Sequence, residues 1–345
     1  MTSTIPTRKL GRNGPEVTSI GFGSMGLSTF YGPTASDSDR FTVLNAAINS
    51  GSAFIDTAHI YGDSESLIGR WLQTSPDLRS RIFLATKCGI DLSNGWANAK
   101  TRGDAEFIKQ QIDTSFSRLG VDVIDLYYVH RIDSTVPIEE TIRTIKEYGV
   151  DTGRIRYIGL SEASAETIRR ANAVHPIAAV QVEYSPFALE IEDPKFGVLE
   201  VARELGIAVV AYSPLGRGLL TGKYRSRSDF DETDLRLRMP RFSEENFPKN
   251  LRLAEKLEAI AKRKGDEVTA GQVCLSWILS RGEDFFVIPG TKRVGIVQEN
   301  NKAAQVKLTE DEIKEINEAI KECQPTGDRY GNMTGLYGDS APKKN

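Results

Sequence analysis

The chain has 345 residues, 39% hydrophobic and 26% charged, the composition of a folded globular protein, which excludes wholesale disorder. A formal net charge of -3 and a pI near 5.8, with acids and bases interspersed, leave no basic surface for nucleic acid or an anionic membrane. Cys88, Cys274 and Cys323 are far apart with no CxxC pair, so spacing points to neither a disulfide framework nor a metal site. No apolar run is long enough to span a membrane, and MTSTIPTRKLGRNG lacks a signal-peptide core, so the expected address is the cytoplasm.

Along the chain, RKLGRNGPEVTSIG carries two short arms around Arg12-Asn13-Gly14 and predicts a hairpin at about 7–18, placed to plug a barrel floor. Eight short apolar runs follow: SIGFG (19–23), AFIDTA (53–58), IFLATK (82–87), LYYVHR (126–131), YIGLSE (157–162), AVQVEYS (179–185), IAVVAYSPL (207–215) and FFVIPGT (285–291). Between them lie stretches with apolar residues at helical spacing, such as DAEFIKQQIDTSFSRLG and TAGQVCLSWILSRG. Near-continuous apolar strands alternating with helices predict an α/β fold, an eight-stranded (β/α)8 TIM barrel whose active face lies at the C-terminal strand ends. GFGSMG matches GxGxxG only as a string, because no acidic residue ends the next strand in a βαβ unit of the usual length. The polar segment from Arg217 to Asn250, between the seventh and eighth runs, predicts a long loop on the active face that can act as a lid. Thr269 with Gln272, and Thr309 with Glu312, predict capping boxes. The expected organisation is one domain over 1–345, with the barrel at about 19–322 and an irregular, at most partly ordered tail at about 324–345.

Four polar residues stand at or just past the ends of these runs: Asp56, Tyr61, Lys87 and His130. A tyrosine of ordinary pKa near 10 is a poor acid at neutral pH, and Lys87 beside it is expected to stabilise the phenolate and lower that value. Asp56 is expected to pair with the lysine, and His130 to orient a carbonyl oxygen against the Tyr61 hydroxyl. Each residue alone has a plainer reading: a packed tyrosine, a structural ion pair, a core histidine. Those plain readings have to hold at every one of these strand ends together. His59 and His175 read as core or surface residues, and Cys88 as a small buried hydrophobe.

The set resembles the catalytic tetrad of the aldo-keto reductases, and the resemblance runs over nearly the whole chain. It is carried by FIDTAHIYG, ATK, DLYYVH, IGLSE, QVEYSP, AYSPLGRGLLTGK, IPGTKR and Glu299-Asn300, and is closest to the fungal and plant branch of yakc-like and perakine-reductase-like NADPH-dependent reductases. It implies Tyr61 as general acid, Lys87 and Asp56 as the pair that tunes it, and His130 as the carbonyl-orienting group. It also implies that Ser161 and Gln181 hold a nicotinamide carboxamide, that Tyr212 stacks on the ring, and that Ser213, Leu215 and Gly216 line the pyrophosphate. Gly290, Thr291, Lys292 and Arg293 are then the adenosine-phosphate site, with Glu299 and Asn300 near the adenine. Lys292 and Arg293 favour NADPH over NADH, because two adjacent cations suit a phosphate. There are three departures from the family pattern: Glu162 stands where many members carry asparagine, Gly290 and Ile296 replace a lysine and an arginine, and the loop YGDSESLIG is about two residues short. The implied activity is reduction of small-molecule aldehydes and some ketones. Two other readings stay open, a Schiff-base aldolase using Lys87 and a cofactor-bound regulatory subunit, a role some relatives of that family have with potassium channels. Oligomeric state is not readable.

Overall fold

The computed structural model of the protein describes residues 5–330 and 337–343. Strands β1 (Thr7–Lys9) and β2 (Glu16–Thr18) form the expected hairpin, with Thr7 opposite Thr18 and Lys9 opposite Glu16. All eight predicted runs form strands: β3 (Phe22–Gly23), β4 (Phe54–Asp56), β5 (Phe83–Cys88), and, after a small antiparallel pair β6 (Ile90–Asp91) and β7 (Lys100–Thr101), β8 (Ile124–Val129), β9 (Ile155–Ser161), β10 (Ile177–Glu183), β11 (Ala208–Tyr212) and β12 (Phe285–Val287). They lie parallel in the order β3-β4-β5-β8-β9-β10-β11-β12. The sheet closes through a parallel bridge between Ile20 and Val287, where Gly21 N–H donates to Val287 O (2.8 Å) and Val287 N–H to Ser19 O (3.0 Å). Closure removes both sheet edges.

Alternation along each strand divides the core in two. Phe54, Ala85, Leu126, Tyr128, Ala179, Val210 and Phe286 point into the barrel, and Leu10 and Val17 of the hairpin complete that inner cluster from below. The hairpin is held at the strand starts by Arg12 N–H donating to Gly206 O (2.6 Å) and by the Arg8 guanidinium, which donates to Gly282 O and Phe285 O. Outward residues such as Ile55, Leu84, Tyr127 and Val209 meet the helices.

Those helices are α1 (Met25–Ser28), α2 (Asp37–Asn49), α3 (Ser64–Leu72), α4 (Ala105–Leu119), α5 (Ile138–Ile145), α6 (Ala165–Val174), α7 (Val198–Leu205), α8 (Phe247–Lys264), α9 (Ala270–Leu279), α10 (Val294–Lys302) and α11 (Glu310–Glu322). Helix α4 shows how sequence sets their limits. Asp104 caps its N-terminus by accepting from Phe107 N, Phe107, Ile108, Ile112 and Leu119 form the buried stripe, and Gly120 ends it at φ 61°. Both predicted capping boxes are present, on α9 and α11. Among the described residues no helix is long and apolar enough to cross a membrane.

Two irregular segments finish the C-terminal face. The long loop before α8 folds into short 3-10 turns around Phe230, whose ring meets Tyr224, Phe242 and Phe247, and its Leu235 N–H donates to Phe30 O (3.0 Å). It therefore carries a small core of its own and joins the loop that follows α1. The tail, expected to be irregular, follows α11. In its described parts, 324–330 and 337–343, it is docked: Gly338 N–H donates to Glu162 O (2.7 Å), Ser164 N–H to Gly338 O (3.0 Å), and Ala341 bridges to Pro137. Arg329 is buried with its guanidinium donating to Glu190 (2.5 Å). A segment with no period has docked because single aromatic and ionic anchors replace a repeating apolar face. Residues 331–336 and 344–345 of the tail lie outside the described residues.

Candidate active site

The four strand-end residues meet at the C-terminal mouth of the barrel. Asp56 is the last residue of β4, Lys87 lies at the end of β5, His130 directly follows β8, and Tyr61 sits in the turn after β4. The Lys87 ammonium, fully buried, donates to Asp56 Oδ1 and to Thr57 O (2.7 Å) and lies 4.9 Å from the Tyr61 ring centre. Gln181 Nε2 donates to the other carboxylate oxygen of Asp56 (2.8 Å). The rings of Tyr61 and His130 meet edge to face at 5.7 Å.

Burial is the dominant electrostatic influence on Asp56, Tyr61 and His130. It pushes the Asp56 carboxyl above its ordinary value, with Lys87 and Gln181 opposing. Lys87 acts on the Tyr61 phenol in the expected direction, but the net shift is upward. Burial raises the phenol, Lys87 offsets this only in part, and Asp56 acts against Lys87. A lysine already paired to a carboxylate presents much less field to a third group than a free one. The His130 imidazole is held well below its usual value by burial, then by Arg131, Lys87 and His59, and is neutral at neutral pH. Its Nδ1 is buried with no hydrogen-bond partner among the described residues. The thiol of Cys88, next to Lys87, is pushed up to about 12 by burial, which agrees with an inert packing role.

From Asp56 and Tyr61 a cavity of about 380 Å3 runs across the ends of β10, β11 and β12 to the start of α10. Gln181, Tyr212, Ser213 and Leu215 line its near half. Gly290, Thr291, Lys292, Arg293, Glu299 and Asn300 line the far half. Lys87 and His130 lie behind its wall, and two of the residues predicted to hold the cofactor do not line it either. Ser161, at the end of β9, accepts from the Arg131 guanidinium (3.3 Å), and Gly216 is buried behind Leu215, against Phe187. Two more are engaged within the protein. Glu299 accepts from Lys223 Nζ (2.6 Å) and Thr269 Oγ1 (2.9 Å), tying the long loop to α10. Lys292 Nζ donates to Tyr31 O (2.5 Å) and Pro33 O (2.8 Å), and its burial lowers its pKa.

Several groups at the mouth escaped the sequence reading. Arg131 follows His130 in LYYVHR, a charge at a strand end and so the same kind of signal that marked its neighbour. Arg217 Nη2 donates to Tyr330 Oη (2.6 Å), whose hydroxyl lies 3.4 Å from that of Tyr212 and donates to Glu183 (3.3 Å). Nothing in the tail sequence marks Tyr330. His59 places Nδ1 against Lys87 O (2.7 Å) and Nε2 against Ile90 O (2.6 Å), linking β5 to β6. Glu162 (φ 50°), Ser213 (φ 49°) and Arg217 (φ 56°) are all left-handed, so strained backbone gathers at the strand ends. Asparagine tolerates that conformation best among non-glycine residues. Glu162 is held in it by accepting from Glu183 N–H (2.8 Å).

The sequence profile described as the Aldo/keto reductase family matches residues 19–321, nearly the whole barrel. The chain belongs to the aldo/keto reductase family. It is 51% identical to the aldo-keto reductase str7 of Strobilurus tenacellus, over 97% of this chain and 98% of that one. It is 46% identical to the aldo-keto reductase yakc [NADP(+)] of Schizosaccharomyces pombe, over 98% and 99% of the two chains. Among solved structures, the glycerol dehydrogenase of Gluconobacter oxydans superimposes with a TM-score of 0.82 at 27% identity, over 96% of this chain and 100% of that one. In this aldo/keto reductase the mouth is thus a closed (β/α)8 barrel's C-terminal face, with Tyr61 lining the inner end of the cavity.

Proposed function

We propose that the protein reduces aldehydes, and some ketones, to alcohols with NADPH, with Tyr61 as the general acid. The observation that carries this reading is the cluster of Tyr61, Lys87, Asp56 and His130, of which Tyr61 and Asp56 line the inner end of the cavity while Lys87 and His130 pack against them. The cavity residues fit the cofactor. Its inner end offers an aromatic face, Tyr212, beside the Gln181 amide, and its outer end offers two adjacent cations, Lys292 and Arg293, at the start of α10, as an anionic dinucleotide phosphate requires. The relative yakc, named for NADP(+), supports the same choice.

When bound, NADPH supplies the hydride that adds to the carbonyl carbon. Tyr61 holds the proton that passes to the carbonyl oxygen. His130, kept neutral, offers an N–H to orient that oxygen. Lys87 favours the phenolate left behind, and Asp56 compensates its ammonium inside the barrel. The same pairing speaks against a Schiff-base aldolase, because an ammonium held by a carboxylate is a poor nucleophile. Small carbonyl compounds are the partners in this reading, and the cytoplasm the address.

Tyr61→Phe tests it. NADPH oxidation with a panel of aromatic and aliphatic aldehydes should fall at least about a hundredfold, the usual worth of a positioned acid, with NADPH affinity nearly unchanged. Loss of affinity equal to the loss of rate would contradict the assignment. Binding of NADPH with no turnover in either protein would favour a regulatory subunit.

A further inference from the structure

We propose that Arg131 is a positioning residue of the proton-transfer site, acting through Tyr61 and His130 as a cation that forms no ion pair with a carboxylate among the described residues. This rests on the reading of Tyr61 as the general acid. Arg131 Nη1 donates to His130 O (2.8 Å) and to Ser161 Oγ (3.3 Å), both neutral acceptors. Among the described residues no carboxylate lies within 4.0 Å of its guanidinium, whereas every other arginine close to Tyr330 at this mouth has one: Arg217 and Arg241 have Glu183, and Arg329 has Glu190 and Glu162. Lys87 is likewise paired, with Asp56.

The distinction matters because two opposite charges in contact act on a third group as a dipole, whose effect dies away faster with distance than that of a single charge. The charged groups acting on Tyr61 are Lys87, Asp56 and Arg131, with Lys87 and Arg131 favouring the phenolate and Asp56 opposing it. Those acting on His130 are Arg131, Lys87 and His59, with Arg131 the largest after burial. Those around Arg131 are Tyr212, Glu162, Tyr330 and Tyr61. Glu162, the acid among them, acts from beyond ion-pair distance and is shared, since its Oε1 accepts from Glu183 N–H and faces Arg329 at 3.9 Å. A guanidinium cannot lose its proton, so the charge persists across the working pH range. Burial makes Tyr61 a weaker acid and Asp56 opposes part of the effect of Lys87, so Arg131 adds a second positive field beside that of Lys87. The same field keeps a second proton off His130, which then remains the neutral donor.

The test is the pH profile of alcohol oxidation by NADP+, in which Tyr61 has to be deprotonated, for wild type, Arg131→Gln and Arg131→Lys. Arg131→Gln should move the rise in kcat/KM to higher pH and lower it about tenfold at pH 7, with KM for NADP+ little changed. Arg131→Lys, which keeps the charge, should stay close to the wild-type profile. As a second readout, the NMR titration of the His130 ring should move up in pH in Arg131→Gln, and with three histidines in the chain its signal is assignable. If the profile stays in place in Arg131→Gln while KM for NADP+ rises, Arg131 merely holds Ser161 and the proposal is overturned. If Lys behaves like Gln, the charge is not what acts, and the proposal is overturned even where one variant folds poorly. Tyr61→Phe separates the layers: persistence of the same pH-dependent rise in that variant removes the reading of Tyr61, and with it the basis for Arg131.

Discussion

Replacing Lys87 by Met leaves the Asp56 carboxylate buried with only the Gln181 amide as partner, and replacing Asp56 by Asn leaves a buried ammonium with Thr57 O. Their side chains are 0% and 3% exposed, so solvent screening is absent and the loss of one partner belongs to the range of about 3–5 kcal/mol for broken buried pairs. Protonation sets the ceiling. A carboxylate of ordinary pKa near 3.9 takes up its proton at pH 7 for about 4 kcal/mol, and a lysine loses its own for about 5 kcal/mol. Each single variant should therefore cost about 3–4 kcal/mol. At roughly 0.7 kcal/mol per degree for a chain of 345 residues, the Tm falls by about 4–6 degrees. The double variant Asp56→Asn with Lys87→Met leaves no buried charge and should cost at least about 2 kcal/mol less than the two single losses combined. Urea unfolding of the four proteins measures this. Acid sharpens it, since the loss in Lys87→Met should shrink as the pH falls toward 5 and Asp56 takes its proton more readily. Single losses below about 1 kcal/mol, or losses that add within about 0.5 kcal/mol, would refute the claim that these two charges depend on each other.

His130 gives a pH-linked outcome. Its folded pKa is depressed, so below the unfolded value near 6.5 the unfolded chain binds a proton that the folded chain does not, and stability falls as the pH drops, by up to about 1.4 kcal/mol per pH unit. His130→Gln should flatten that part of the profile, and an unchanged slope of Tm between pH 5 and 6.5 would show that His130 is not its source. Gly290→Ala places a methyl 2.5 Å from Gly23 O across the barrel closure and should cost about 1–3 kcal/mol, whereas Gly295→Ala meets nothing within 4 Å and should be neutral or slightly stabilising. Equal urea midpoints for the two would argue against a tight closure. Lys292→Ala with Arg293→Ala should weaken NADPH at least about tenfold by calorimetry and leave NADH nearly unchanged. Equal losses for both cofactors would move the phosphate site elsewhere.

The eight strands were legible because buried parallel strands are apolar on both faces, and the catalytic candidates because a lysine, an aspartate and a histidine have no reason to end such runs unless the ends converge. The hairpin plug and both capping boxes were local in sequence and so equally readable. The tail was not, since Arg329, Tyr330 and Gly338 reach the mouth through single contacts with residues more than a hundred positions earlier. Lys292 was assigned by motif to a phosphate and lines the cavity, but that its ammonium also reaches the backbone at Tyr31 and Pro33 is a contact no pattern near residue 292 announces.

The sequence by itself determined which chemical groups the chain carries to the mouth of the barrel, because periodicity places strand ends and each strand end names its residue. Only the tertiary structure decided how those groups behave. Whether a cation is paired, as Lys87 is with Asp56, or unpaired, as Arg131 is, depends on neighbours from several strands, and so does the burial that raises Tyr61 and lowers His130. Charge compensation and desolvation are sums over everything packed around an atom, and no window of sequence contains that sum.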